Sequence, residues 1–391
     1  MIKNKKSLAT IAVFMLAMNL RAPIVSLSAV SELISSELGL SSSMIGMLTT
    51  LPLLAFSAAP LLIPSLTKCF SLVKAIVVGI LLIAVGEIFR SLSSVIGLYA
   101  GTLFLGLGIG IENVLVLRFI KAYFQDRIGV MTGFFSSVMS LMSGIGAWLS
   151  LELALRCGWN WRQAVSIWIP TILIALVVWI IQVQYGWPQL PGSVQSTAEG
   201  LNFKQKLRHL LFYISMQSFV FYCMVAWLPS ILQSTGTRGD VVGSMTFSLQ
   251  LVSVPAGLFF PILAQYLKKK TNLIILTGVF LISGIFILLI GPSLSLQYLS
   301  VVLIGIGLGG SFSLGMALIN FLATSPEEAS SLAAKSFSIG YLVASAGPLS
   351  IGFIHDQFVS WAIPLSIILV AVFIMTYHGL RTHGRSKEIV A

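Results

Sequence analysis

Twelve apolar runs, each long enough to cross about 30 Å of hydrocarbon, divide this chain almost from end to end. They cover residues 7–30, 44–66, 73–89, 95–120, 128–151, 161–183, 210–232, 241–263, 273–290, 296–322, 333–354 and 361–377. Only helices and closed barrels satisfy their own backbone in lipid. Continuous runs of this length, without the alternation of a barrel strand, exclude the barrel. The composition agrees: 57% of the residues are hydrophobic and 9% charged, against about 25% charged in a soluble globule. The expected class is an all-α integral membrane protein with twelve transmembrane helices in two six-helix pseudo-repeats.

A net charge of +11 invites a nucleic-acid reading, but the distribution of charge argues against it. With the loops assigned alternately to two sides, seventeen basic residues fall on one side, from Lys3, Lys5 and Lys6 through Lys68, Lys74 and Lys121 to Arg381, Arg385 and Lys387. The other side holds only Arg90, Arg156, Arg162 and Arg238. The basic side is therefore cytoplasmic, and both termini lie on it. The first run resembles a signal peptide in its lysine-rich start but is too long, with no small-residue cleavage pattern after it, so it reads as an uncleaved helix. Cys69, Cys157 and Cys223 are odd in number and scattered, which gives neither a disulfide framework nor a metal site.

The longest non-apolar interval, 184–208, contains Tyr185-Gly186-Trp187-Pro188 and then Lys204, Lys206 and Arg208. It reads as a cytoplasmic linker between bundles at 1–183 and 209–391. The bundles also echo each other. Gly46 and Pro64 match Gly243 and Pro261 at an offset of 197, and Gly106-x-Gly108-x-Gly110 matches Gly305-x-Gly307-x-Gly309 at 199. Trp161 matches Trp361 at 200. A nearly constant shift points to a duplicated unit, a common plan among secondary transporters. These glycines sit inside apolar helices with no preceding strand, so close helix packing explains them better than a phosphate loop. Gly144-Ile145-Gly146 and Ser345-Ala346-Gly347-Pro348 read the same way.

With these motifs in their order, the chain resembles the major facilitator superfamily, and within it the cyanate-porter branch that includes nitroimidazole and cyanate transporters. The resemblance rests on Asn19-Leu20-Arg21-Ala22-Pro23, on Gly108-Ile109-Gly110-Ile111-Glu112-Asn113-Val114-Leu115, and on Gln217-Ser218 with Phe221-Tyr222 and Trp227-Leu228-Pro229. It extends to Gly340-Tyr341-Leu342 through Gly347-Pro348, closed by His355-Asp356. Two places depart from the pattern. Pro64-Ser65-Leu66-Thr67-Lys68-Cys69-Phe70 lacks the family's Gly and Asp, and Ser336 and Ser338 stand where the branch often has Gln.

Polar residues inside the runs are the candidate site. Arg21 lies about 20 Å from the cytoplasmic end of its helix, and Glu112 about 13 Å deep. A guanidinium stays charged at working pH and is costly at that depth, so Arg21 must face a partner or a wet cavity. The resemblance makes the first and fourth helices neighbours. Arg21 then either pairs with Glu112 as a helix lock or receives an anionic or dipolar solute, with Glu112 as counter-ion or proton site. Asn19, Asn113, Gln217, Tyr222, Asn320 and Tyr341 complete the expected substrate-binding set, each with helix–helix hydrogen bonding as its plainer use. Arg118 reads as a cation snorkelling to the cytoplasm, Glu87 and Arg90 as a local pair near the outer interface, and Trp227 as an interfacial aromatic. Ser325-Pro326-Glu327-Glu328 reads as a capped helix start.

His209, His355, His378 and His383 show no metal-ligand spacing, and no Ser/His/Asp grouping shares a membrane layer. The expected function is transport by alternating access, driven by protons or by the solute's own gradient. Neither metal, cofactor nor enzymatic chemistry is expected. The expected partners are a small-molecule substrate, protons where transport is coupled, and the lipid bilayer, but not nucleic acid. The expected setting is the inner (cytoplasmic) membrane, as a monomer. A proton-coupled drug efflux pump is the alternative within transport; a membrane receptor or lipid-modifying enzyme is the alternative outside it.

Overall fold

A computed structural model describes residues 2–40, 42–92, 94–185, 201–267, 270–290, 293–358 and 360–383. Among them there is no strand. The helices of the first part are α1 (Ile2–Ala29), α2 (Ser31–Leu38), α3 (Ser42–Ala58), α4 (Ile63–Cys69), α5 (Leu72–Arg90), α6 (Val95–Tyr123), α7 (Ile128–Leu155), α8 (Trp161–Ser166) and α9 (Ile169–Gln184). Then follow α10 (Leu201–Ser234), α11 (Gly239–Tyr266), α12 (Thr271–Leu289), α13 (Leu294–Leu322), α14 (Pro326–Phe358) and α15 (Ala362–His383). Twelve spans among the described residues are long and apolar enough to cross a membrane. They correspond one for one to the twelve runs.

Proline and local capping explain where spans break. The second span is α3 and α4 joined by a 3-10 turn at Ala59–Leu62, with Pro60 inside the joint and Pro64 in the first turn of α4. Each proline withholds an N–H from the helical ladder, which favours a tighter turn or a bend. The sixth span is split between α8 and α9. Asn160 and Gln163 form a reciprocal capping box at the start of α8, and Pro170 sits in the first turn of α9. Ser325 caps α14 as expected, accepting from the Glu328 N–H at 3.1 Å.

The chain forms two compact units. The first comprises Met1–Gln125, Val138–Thr197 and Ser325–Ala334; the second comprises Asp126–Ser137, Ala198–Thr324 and Lys335–Ala391. The short exchanged pieces are the beginnings of α7 and α14. Helix α10 begins at Leu201, within the interval read as linker; residues 186–200 of that interval lie outside the described residues.

The glycine triplets show how each unit packs. In the first unit, Gly106 and Gly110 of α6 lie against Pro52, Ala55, Phe56 and Ala59, while Gly108 faces the other way, onto Gly79 and Ile83 of α5. In the second, Gly305 and Gly309 of α13 lie against Leu249 and Ser253 of α11, while Gly307 faces Leu281 of α12. A Cβ at Gly108 would come 2.6 Å from the Gly79 carbonyl oxygen, and one at Gly305 would come 2.8 Å from that of Leu249. The outer glycines seat one neighbour and the middle glycine the next, in both units. Small-residue packing, which lets backbones approach in lipid, is thus the physical content of the sequence repeat.

Candidate functional site

The α1 turn around Arg21 is held on several sides within the first unit. Pro23 lies inside α1 and cannot donate to the carbonyl of Asn19. Leu20 and Ala22 are buried and Arg21 is half-buried. Asn19 is tied to α9: its Nδ2 donates to the Met15 and Thr171 carbonyls at 2.8 and 3.2 Å, and Thr171 Oγ1 donates to its Oδ1 at 2.7 Å. That engagement is the helix-to-helix use of Asn19, not the expected solute contact. The backbone of Ala22 lies against Gly146 of α7, where a Cβ would come 2.8 Å from its carbonyl oxygen.

Arg90 supplies a further hold that the sequence reading missed. Its Nη1 donates to the Pro23 carbonyl at 3.0 Å and to Glu87 Oε2 at 2.9 Å. Glu87 and Arg90 are fully buried, so the pair is an interior clamp on α1 rather than an interface pair. The spacing of three on one helix was the visible signal. Their place at the end of a run concealed their burial.

Of the two readings of Arg21 and Glu112, the helix lock does not form. The Glu112 side chain is fully buried, and neither carboxyl oxygen has a hydrogen-bond partner among the described residues. The carboxyl group instead packs on Gly79 of α5, where the missing side chain makes room for it. Asn113, one residue on, is buried at 2% exposure. Arg118 also departs from its reading. It is buried at 4% exposure, and its Nη2 lies 3.1 Å from Glu327 Oε1 in the first turn of α14. It is a paired cation, not a snorkelling one.

In the second unit, the rings of Tyr222 on α10 and Tyr341 on α14 meet edge to face with centroids 6.4 Å apart, and Phe337 stacks on Tyr341 at 5.7 Å. Tyr341 is buried and Tyr222 half-buried. Gln217 is buried on α10, and its Nε2 has no hydrogen-bond partner among the described residues. Asn320 is fully buried on α13. Trp227 is not simply interfacial: its Nε1 donates to the Pro348 carbonyl at 2.9 Å, bracing the proline-bearing stretch of α14.

Two histidines far apart in sequence meet at the ends of α10 and α15, with the Nδ1 atoms of His209 and His378 3.0 Å apart. Two imidazoles fall short of a closed metal site. Among the described residues no group of three or more metal-ligating side chains gathers. The three cysteines are free.

The chain is similar to known proteins along nearly its whole length. Residues 9–348 match the family profile of the Major Facilitator Superfamily. An uncharacterized transporter of Bacillus subtilis (strain 168), YycB, is 31% identical over 96% of this chain and 93% of its own length. The 2-nitroimidazole transporter of Escherichia coli (strain K12) is 30% identical over 99% and 98%, and its cyanate transport protein CynX is 25% identical over 93% and 94%. The fold is also that of solved transporters. The human organic anion transporter MFSD10 superimposes with a TM-score of 0.74 over 97% of this chain and 99% of its own, at 14% identity. The proton:xylose symporter XylE gives the same TM-score over 97% and 95%, at 12% identity. With twelve spans in two repeats, the ordered motifs and these full-length matches, the chain belongs to the major facilitator superfamily, in its nitroimidazole and cyanate transporter branch.

Proposed function

We propose that the protein moves a small anionic or strongly dipolar solute across the cytoplasmic membrane by alternating access, with Arg21 as the principal solute-binding group. One observation carries this reading: a half-buried guanidinium well inside a membrane-spanning helix, on a turn braced by α5, α7 and α9. Braced neighbours reduce the conformational freedom lost when a solute is held. A planar five-donor fork suits two oxygens, or an oxygen and a nitrogen, of a planar anion or nitro group. Two of the similar transporters are named for 2-nitroimidazole and for cyanate, which are of that size and polarity.

In this scheme Asn113, Gln217, Tyr222, Asn320 and Tyr341 remain the candidate groups for neutral hydrogen bonds and aromatic contact with the solute. Glu112 is the proton site. A carboxyl group buried without partners is costly to charge, and binding a proton removes that cost. The protein acts as a carrier and not as an enzyme. It works as a monomer, with both termini in the cytoplasm.

The test is Arg21→Lys, which keeps the charge and loses the fork. With 2-nitroimidazole and cyanate as probes, the variant inserts and folds normally while solute affinity falls by about 1.5–3 kcal/mol, the scale of a hydrogen bond to a charged group. Unchanged affinity for a solute that the parent protein transports overturns the assignment of Arg21.

A further inference from the structure

Away from Arg21, the start of α5 and the end of α9 enclose a groove of about 420 Å³ in the first unit. Val77 and Val78 of α5 form one wall, and Ile180 and Val183 of α9 form the other. The two helices are antiparallel here, and both turn polar toward the same end. Lys74 precedes Val77 and Val78 by about one turn, and Gln184 follows Ile180 by about one turn. The groove therefore has an apolar floor and a polar mouth carrying one positive charge. None of its lining residues is acidic, and Lys74 has no ion-pair partner among the described residues. Its walls belong to two membrane-spanning helices, with Ile180 43% exposed, so the medium around it is lipid.

We propose that this groove binds one anionic phospholipid, with an acyl chain along the valine–isoleucine walls and the headgroup phosphate at Lys74. An apolar trough capped by a lone cation is complementary to an amphiphile with a negative head. A soluble anion would leave the trough unfilled. A zwitterionic lipid would bring its own ammonium toward Lys74 and weaken the attraction. Basic pockets between transmembrane helices are a recognised means of selecting acidic headgroups.

The experiment measures thermal unfolding of the full chain in neutral detergent, followed by tryptophan fluorescence. Phosphatidylglycerol, phosphatidylcholine with the same acyl chains, and glycerol 3-phosphate are titrated separately. Phosphatidylglycerol raises the midpoint by about 3 °C more than phosphatidylcholine, since a ligand that binds only the folded state stabilises it. Glycerol 3-phosphate does nothing, because it lacks the chain that fills the trough. Lys74→Gln removes the difference between the two lipids and leaves the lipid-free midpoint in place, because Lys74 is exposed. Lys74→Arg retains the difference, and so does Arg127→Gln, which removes an exposed cation elsewhere. Equal protection by the two lipids overturns the proposal, as does an unaltered response in Lys74→Gln. An equal loss in Arg127→Gln would reduce the effect to general electrostatics, and activity of glycerol 3-phosphate would replace the lipid site with an anion site.

Discussion

Glu87 and Glu112 lie on adjacent helices of the first unit, both with no exposed surface, in opposite surroundings. Glu87 has a guanidinium at 2.9 Å, and that guanidinium goes on to the Pro23 carbonyl of α1. Glu112 has no hydrogen-bond partner for either oxygen among the described residues and rests against a glycine. The first acid is part of the framework, because its charge is matched and its partner joins two helices. The second contributes nothing comparable to the framework. A group that burdens the fold without serving it is the kind retained for activity, since functional sites often carry local cost. On the proposed reading the pair separates two uses of a buried carboxyl group in a membrane helix, and substitutions at the clamp, at Glu112 and at Gly79 test the separation.

The largest effect is expected at the clamp. Arg90→Met leaves Glu87 buried and unmatched and frees the Pro23 carbonyl, so unfolding in detergent becomes easier by about 3–5 kcal/mol. Glu87→Leu with Arg90→Met removes both charges and restores most of that stability, because an apolar pair of similar volume has no charge to desolvate. If Arg90→Met melts like the parent protein, the clamp is not structural and the contrast with Glu112 collapses.

Glu112 should behave the other way. Glu112→Met removes an unpartnered polar group and stabilises the fold by about 1–3 kcal/mol while abolishing proton-driven transport. Glu112→Gln keeps size and hydrogen-bonding capacity but cannot titrate, so solute exchange continues while uphill accumulation and its pH dependence vanish. Undiminished accumulation in Glu112→Gln would remove Glu112 from coupling. A loss of stability in Glu112→Met would return it to the framework.

The sequence made the span count legible because hydropathy over about twenty residues is a direct reading of the membrane's thickness. The glycine triplets were legible as packing sites for a similar reason, since their common offset survives without knowing which way each residue faces. Direction was the part that stayed hidden. Helix α6 is apolar nearly all round, so no polar stripe fixes its rotation, and nothing in its sequence turns Glu112 toward Gly79 rather than Arg21. Arg118 and Arg90 were misplaced because both lie near the ends of their runs, where exposure is the ordinary reading, yet Arg118 pairs with Glu327 and Arg90 reaches the Pro23 carbonyl, both far away in the chain. The His209–His378 contact joins residues 169 apart, with no local spacing to announce it. Residues 201–208 read as linker because their lysines and arginine mask a helical start that lies outside the apolar run.

The smallest effect belongs to Gly79, the surface on which Glu112 rests. A methyl group there overlaps the Glu112 carboxyl, which is the flexible end of a side chain and can shift, so Gly79→Ala costs about 1 kcal/mol. In a Glu112→Ala background the overlap is gone, and Gly79→Ala becomes neutral or slightly stabilising, because alanine is the better helix former. Gly86→Ala is the control from the same helix. Its methyl group would meet the backbone of Gly101 and Leu105, so its penalty persists whatever stands at position 112. Detergent melting of the two alanine variants in both backgrounds gives the coupling energy directly. Coupling at Gly79 with none at Gly86 places the Glu112 carboxyl on Gly79. Equal penalties in both backgrounds at Gly79 would mean that the carboxyl lies elsewhere, with Arg21 again a candidate partner, and the contrast with Glu87 would fail.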